Sequence, residues 1–207
     1  MGTRLIGIAG PSGSGKSELA RWLAATTGAP VISLDSYYRN LSHLPLEERA
    51  KANFDEPASL DESLLFEQFL ALSRGEAIDV PHYDFSCHTR VAGTQRIEPG
   101  ESVIIEGLFT LYWKQLRRLL QTSVYVELED ETCYARRLAR DVRERGRTPE
   151  SVERQYSTTV RPMAEQYIWP TKRHADVIIR GDSVLEESVA TVLGFVRGRA
   201  VRGSAIR

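Results

Sequence analysis

Cysteine is scarce: only Cys87 and Cys133 occur in 207 residues, far apart and in no metal-ligand spacing. That excludes a disulfide framework and fits a reducing cytoplasm. Net charge is nearly absent. Twenty-seven basic and 28 acidic residues leave −1, so no global field draws the chain to nucleic acid or to an anionic membrane, and any anion site must be local. Long apolar runs are missing; "LIGIAG" and "VIIEGLF" are typical and too short to span a bilayer. The chain enters "RLIGIAG" almost at once, which leaves no room for a signal peptide, and Ile6 breaks the myristoylation pattern. Repeats and low-complexity tracts are also lacking. What is present is an ordinary globular composition, 42% hydrophobic and 27% charged, at a length suited to one α/β domain over residues 1–207.

Short apolar runs alternate with longer periodic ones. The runs Arg4 to Ala9, Pro30 to Leu34, Ser102 to Ile105, Ser123 to Leu128 and Asp176 to Arg180 are mostly unbroken, as in strands buried on both faces of a parallel sheet. Helical spacing covers Ser17 to Thr27, Asp61 to Arg74, Thr132 to Arg145 and Ser183 to Val196. Gly28, Gly75 and Gly146 stand as stops after the first three. The alternation predicts right-handed βαβ units and a three-layer, mostly parallel α/β fold. Residues 77–99, with two prolines and one glycine, read as an inserted antiparallel hairpin.

"GPSGSGKS", Gly10 to Ser17, matches the phosphate-binding loop G-x-x-x-x-G-K-[ST] and sits between a strand and a helix, as that motif requires. Gly10, Gly13 and Gly15 let backbone N–H groups turn inward around phosphates, with Pro11, Ser12 and Ser14 between them. The following helix dipole favours the same anion. Lys16 reaches the β- and γ-phosphates and Ser17 offers a hydroxyl to Mg²⁺. "SVIIEGLF" carries Glu106 to a strand's carboxyl end, where it can serve the same cation. Glu127 and Glu129 are rivals, Glu127 less well placed within an alternating strand.

A phosphate loop does not by itself choose a reaction. The guanine-reading N-K-x-D of a switch GTPase is absent. A kinase acting on an alcohol needs a carboxylate to take the hydroxyl proton. Asp35, ending "VISLD", reads equally as that base or as a turn-forming aspartate. "NFDEP" sets Asp55 beside an aromatic ring, and "PHYDFSCHTR" offers Tyr83, Phe85 and His88, a set suited to a flat heteroaromatic ring or to hairpin packing. Arginines 136, 140, 143 and 147 share one helical face. With Asp141 and Glu144 among them, that face reads as solvated ion pairs or as a cationic lid over a triphosphate, spanning about residues 136–162.

The ordered series "GPSGSGKS", "LDSYYRN", "NFDEP", "YDFSCHTR", "IEGL", "RDVRERGR", "QY" and "RPM…PTKRHADVII" resembles the uridine kinase (uridine–cytidine kinase) family, kin of phosphoribulokinase. The resemblance implies a P-loop kinase fold with an inserted hairpin and an arginine-rich lid, and transfer of the γ-phosphoryl group of ATP or GTP to the 5′-hydroxyl of uridine or cytidine. It implies Asp35 as general base, with Ser17 and Glu106 serving Mg²⁺. Asp55, helped by Arg147, holds the ribose hydroxyls, and Tyr83, Phe85 and His88 embrace the pyrimidine. Tyr38, Arg137 and Gln155 border the nucleoside, while Arg140 and Arg145 face the donor phosphates. It further implies a homotetramer inhibited by CTP and UTP. Two positions depart from the family pattern: Glu56 replaces a histidine after Asp55, and Arg180 stands where proline follows "VII". The rivals are another kinase of the superfamily acting on a sugar phosphate, and a nucleotide-binding regulator without turnover.

Overall fold

In the computed structural model, which describes residues 2–204, the strands in chain order are β1 (Arg4–Ala9), β2 (Val31–Ser33), β3 (Ile78–Asp84), β4 (Thr89–Ile97), β5 (Ser102–Glu106), β6 (Leu120–Glu127) and β7 (Val177–Arg180). Five of them form a parallel sheet in the order β2-β5-β1-β6-β7, and β3 and β4 form a separate antiparallel ribbon. The helices are α1 (Lys16–Thr27), α2 (Leu46–Arg49), α3 (Glu62–Ser73), α4 (Lys114–Leu119), α5 (Asp130–Arg145), α6 (Pro149–Gln155), α7 (Arg161–Met163) and α8 (Leu185–Ser204). β1 lies at the centre, and the chain crosses over it to build both flanks. The carboxyl ends of β1, β2 and β5 therefore open onto one crevice.

Three layers follow from side-chain alternation. β1 sends Leu5 and Ala9 to one face and Ile6 and Ile8 to the other; β5 likewise divides Val103 and Ile105 from Ile104. One face is covered by Leu19 and Leu23 of α1 with Val189 and Val192 of α8. The other is covered by Leu65, Phe69 and Leu72 of α3, Leu116 of α4, and Ile78, Val80 and Ile97 at the base of the ribbon.

The expected strands all form, β1 with the expected ends and the others with shifted ones. β2 stops at Ser33 because Leu34 begins a 3₁₀ turn, Leu34–Tyr37. β6 starts at Leu120, three residues earlier than the apolar run suggests; Gln121 interrupts that run, yet the backbone still pairs with Leu5 and Ile6 across a register shift. The largest unforeseen feature is a helical path from α6 to His174. It passes through π turns at Tyr156–Val160 and Ala164–Ile168 and a 3₁₀ turn at Trp169–His174. After α6 its two prolines, Pro162 and Pro170, are the second residues of α7 and of the 3₁₀ turn, and the π turns break the 3.6-residue period that reveals helices.

Candidate active site

The phosphate loop runs from the end of β1 to the start of α1. Gly13 has φ 88°, and a Cβ there would lie 2.4 Å from the Cys133 carbonyl oxygen, so only glycine lets the loop lie against α5. Gly15 is the N-cap of α1 at φ 99° and brings no side-chain cap. The first N–H groups of the helix are thereby left for an external acceptor, the condition under which a helix terminus binds phosphate. Pro11, Ser12 and Ser14 are buried in the loop, and the Ser12 hydroxyl accepts a 3.1 Å hydrogen bond from Arg137 Nη1.

Glu106 is the last residue of β5 and is buried. Ser17 Oγ, in the first turn of α1, donates to Glu106 Oε2 at 2.9 Å, so the two candidate cation ligands share one place. A hydroxyl and a carboxylate are hard oxygen donors that suit Mg²⁺, a cation that takes one or two protein ligands and completes its shell with phosphate and water. The rival Glu127 is occupied: its Oε1 pairs with Lys172 Nζ.

Asp35 sits in the 3₁₀ turn after β2, its backbone N–H donating to Ser33 Oγ at 3.3 Å. Burial first and the Glu106 carboxylate second push its pKa up from 3.8 to about 6, against the pull of Lys16 and Arg145; Asp55 raises it further. Those neighbours place Asp35 between the phosphate loop and the next cluster. Tyr38 is buried one turn on, its hydroxyl donating to the Phe54 carbonyl at 3.1 Å. Its ring lies 5.2 Å from Phe54 and 5.1 Å from Tyr83, centroid to centroid, and Tyr83 meets Phe85 edge-on at 5.1 Å. Phe54 stacks on His88 at 5.7 Å and 17°. His88 adopts φ 51°, the left-handed turn that closes the ribbon toward the crevice. Burial, then Arg147 and Arg145, lower its pKa, so its imidazole is neutral at neutral pH.

The ribbon is held there by Arg90 and Thr89. Arg90 bonds Asp61 Oδ2 at 3.2 Å and the Tyr37 carbonyl at 3.1 Å, while Thr89 Oγ1 receives the Leu41 N–H at 2.8 Å. Phe54 and Arg90 are the residues that sequence reasoning left without a role. Both stand inside quoted motifs, but the contact that gives each its place crosses between distant segments. Tyr37, by contrast, is wholly buried and bonds Gln68 Oε1 at 2.7 Å, a packing residue.

The expected arginine face is divided by the structure. Arg136 turns away to the Gly181 carbonyl at 3.0 Å, Arg143 is exposed beside Glu144, and Arg147 lies beyond the end of α5. The buried stripe of α5 is Cys133, Arg137 and Asp141, the last two charged residues at spacing that apolar ones usually hold. Arg137 is the connector: besides Ser12 it bonds Gln155 Oε1 at 3.1 Å and lies 3.8 Å from buried Asp55. Arg147 also donates to Gln155 Oε1. Arg145 places its guanidinium 5.2 Å from the centre of the Phe85 ring, and Arg140 bonds Asp141 at 2.8 Å. These contacts join Ser12, Asp55, Arg137, Arg147 and Gln155 in one network, Ser17 to Glu106, and Tyr38, Tyr83, Phe85 and Arg145 in a third group.

A phosphate loop opening a helix beneath a parallel sheet, a serine–glutamate pair beside it and an elevated aspartate facing an aromatic pocket define a P-loop phosphotransferase with an organic acceptor. The chain belongs to the phosphoribulokinase/uridine kinase family, whose sequence model matches residues 5–187. Among its relatives, a uridine kinase of Chloroflexus aurantiacus is 46% identical over 180 residues, 86% of each chain. One of Deinococcus deserti is 46% identical over 196 residues, covering 93% of this chain and 95% of the relative. The fold is similar to that of a D-glycerate 3-kinase from Cryptococcus neoformans, with TM-score 0.60 at 19% identity over 80% of this chain and 79% of that one.

Proposed function

We propose that the protein is a uridine kinase that transfers the γ-phosphoryl group of ATP or GTP to the 5′-hydroxyl of uridine or cytidine, giving UMP or CMP. Relatives called uridine kinase, at 46–48% identity over most of the chain, support the reaction. The observation that carries the residue assignment is the setting of Asp35, whose charged neighbours are Glu106 and Lys16 on the loop side and Asp55 and Arg145 on the pocket side.

In this reading Asp35 takes the proton of the 5′-hydroxyl. That oxygen bonds the γ-phosphorus as the bond to the bridging oxygen breaks, and the electron pair leaves on the nucleoside diphosphate. Loop N–H groups, Lys16, Arg140 and Arg145 neutralise the charge that spreads over the transferring group. Ser17 and Glu106 would hold Mg²⁺, which when bound shields the phosphate charge from the incoming oxygen. Asp55 and Arg147 hold the ribose hydroxyls. Tyr83, Phe85 and neutral His88 hold the pyrimidine, and Tyr38, Arg137 and Gln155 complete its walls.

The reading extends to one domain over residues 1–207, a cytoplasmic homotetramer, and inhibition by CTP and UTP; no helix among the described residues is long and apolar enough to cross a membrane. A steady-state assay over uridine, cytidine and ribulose 5-phosphate tests the core claim. Mg²⁺-dependent UMP formation from uridine is expected, and turnover of the sugar phosphate alone would overturn it.

A further inference from the structure

Asp141 has no part in the chemistry just described, yet it lies at the centre of the arginines that do. Its side chain is wholly buried. Arg140 bonds its Oδ1 at 2.8 and 2.9 Å, and Arg145 lies 3.5 Å from the same atom. Arg137 Nε and Arg147 Nη1 lie 3.5 and 3.6 Å from Oδ2. The backbone carbonyl of Asp141 also accepts from the N–H groups of Gly146 and Arg147, so the same residue fixes the turn that ends α5.

Three of these four contacts are longer than a hydrogen bond, and Asp141 Oδ2 and Arg137 Nε are buried without a hydrogen-bond partner. Asp141 therefore holds Arg137, Arg145 and Arg147 by charge rather than by hydrogen bonds, and only Arg140 bonds it directly. Arg137 carries the restraint outward to Ser12 of the phosphate loop and to Asp55 of the acceptor pocket, and Gln155 joins Arg137 to Arg147. Stability alone does not account for the arrangement. Four guanidiniums outnumber the two buried carboxylates beside them, and replacing buried ion pairs by apolar groups is often neutral or stabilising.

We propose that Asp141 is a positioning residue: its carboxylate holds Arg137, Arg140, Arg145 and Arg147 in the fan that receives the nucleoside and the transferring phosphoryl group. This rests on the nucleoside kinase reading. Without the carboxylate the four like charges repel and the fan opens, although the local positive charge rises by one unit. The expected signature is therefore a split: lost turnover with undiminished attraction for the nucleotide.

The test compares wild type, Asp141→Asn and Asp141→Glu by steady-state kinetics with uridine and MgATP. Equilibrium MgATP binding, thermal melting and amide hydrogen exchange over residues 136–155 of the free enzyme are measured alongside. Asp141→Asn is expected to lose about 100-fold in kcat, the scale of a roughly 1 Å misplacement, with the ATP KM unchanged or lower and exchange faster across 136–155. Asp141→Glu is expected to recover about a tenth or more of the lost turnover. Three results overturn the proposal: kcat of Asp141→Asn close to wild type, a loss that matches the loss of folded protein, or Asp141→Glu no better than Asp141→Asn. A wild type that makes no UMP overturns the nucleoside reading instead; exchange and MgATP binding, which need no acceptor, still decide the role of Asp141.

Discussion

A carboxyl group at about 6 is ionised at neutral pH and is still a far better base than an exposed aspartate. Turnover should therefore fall about tenfold per pH unit below about 6, read as an acid limb of kcat/KM, and Asp35→Asn should abolish that limb together with most of the turnover while sparing MgATP binding. The same shift has a cost in stability. The folded state holds the proton more tightly than the unfolded chain does, whose value is 3.8, so the stabilisation it brings is complete below about pH 4 and is lost as pH rises through about 6. Asp35→Asn should melt at a higher temperature than wild type at pH 8 and lose that advantage at pH 4; a lower melting temperature at pH 8 contradicts the burial argument. At this scale the sequence was only half legible. Asp35 at the end of an apolar run is as good a turn as a base, and what separates the two is the proximity of Glu106, Lys16 and Asp55, which come from three other segments.

Elements carry the site residues, and two of them make separate predictions. Gly13→Ala puts a Cβ against the Cys133 backbone carbonyl at a φ that L-residues avoid, so the loop must shift from α5. MgATP binding should be lost or severely weakened, as isothermal titration would show. The ribbon is seated through Ile78, Val80 and Ile97. Ile97→Ala should cost about 2–5 kcal/mol in chemical denaturation, and because Tyr83, Phe85 and His88 ride on the same ribbon, the nucleoside KM should rise while the ATP KM holds. An unchanged nucleoside KM would separate the ribbon's packing from acceptor binding. Element boundaries that follow apolar runs were readable in advance; the path from α6 to His174 was not, because its prolines and π turns erase the helical period. The arginine face of α5 is divided for a related reason. Counting charge picks out 136, 140, 143 and 147, whereas burial selects Arg137 and Asp141.

Across the whole molecule, the core behind β2 and the turn that carries Asp35 are the same body of side chains. Phe69 of α3 is fully buried and meets the ring of Tyr37, two residues after Asp35 in the chain, edge-on at 5.4 Å. Phe69→Ala should cost about 3–5 kcal/mol and lower kcat beyond what the folded fraction explains, measured as turnover per active site. A kcat unchanged per folded molecule would show that the turn holds its place without that packing. The parallel sheet and the phosphate loop follow from local sequence, since each depends on a short run of residues meeting a fixed backbone geometry. The tertiary structure alone decided which carboxylate is raised, which aromatic residues share a pocket and which acid sits among the arginines. Those outcomes depend on desolvation and charge at distances of a few ångströms between segments far apart in the chain, and no local pattern records such distances.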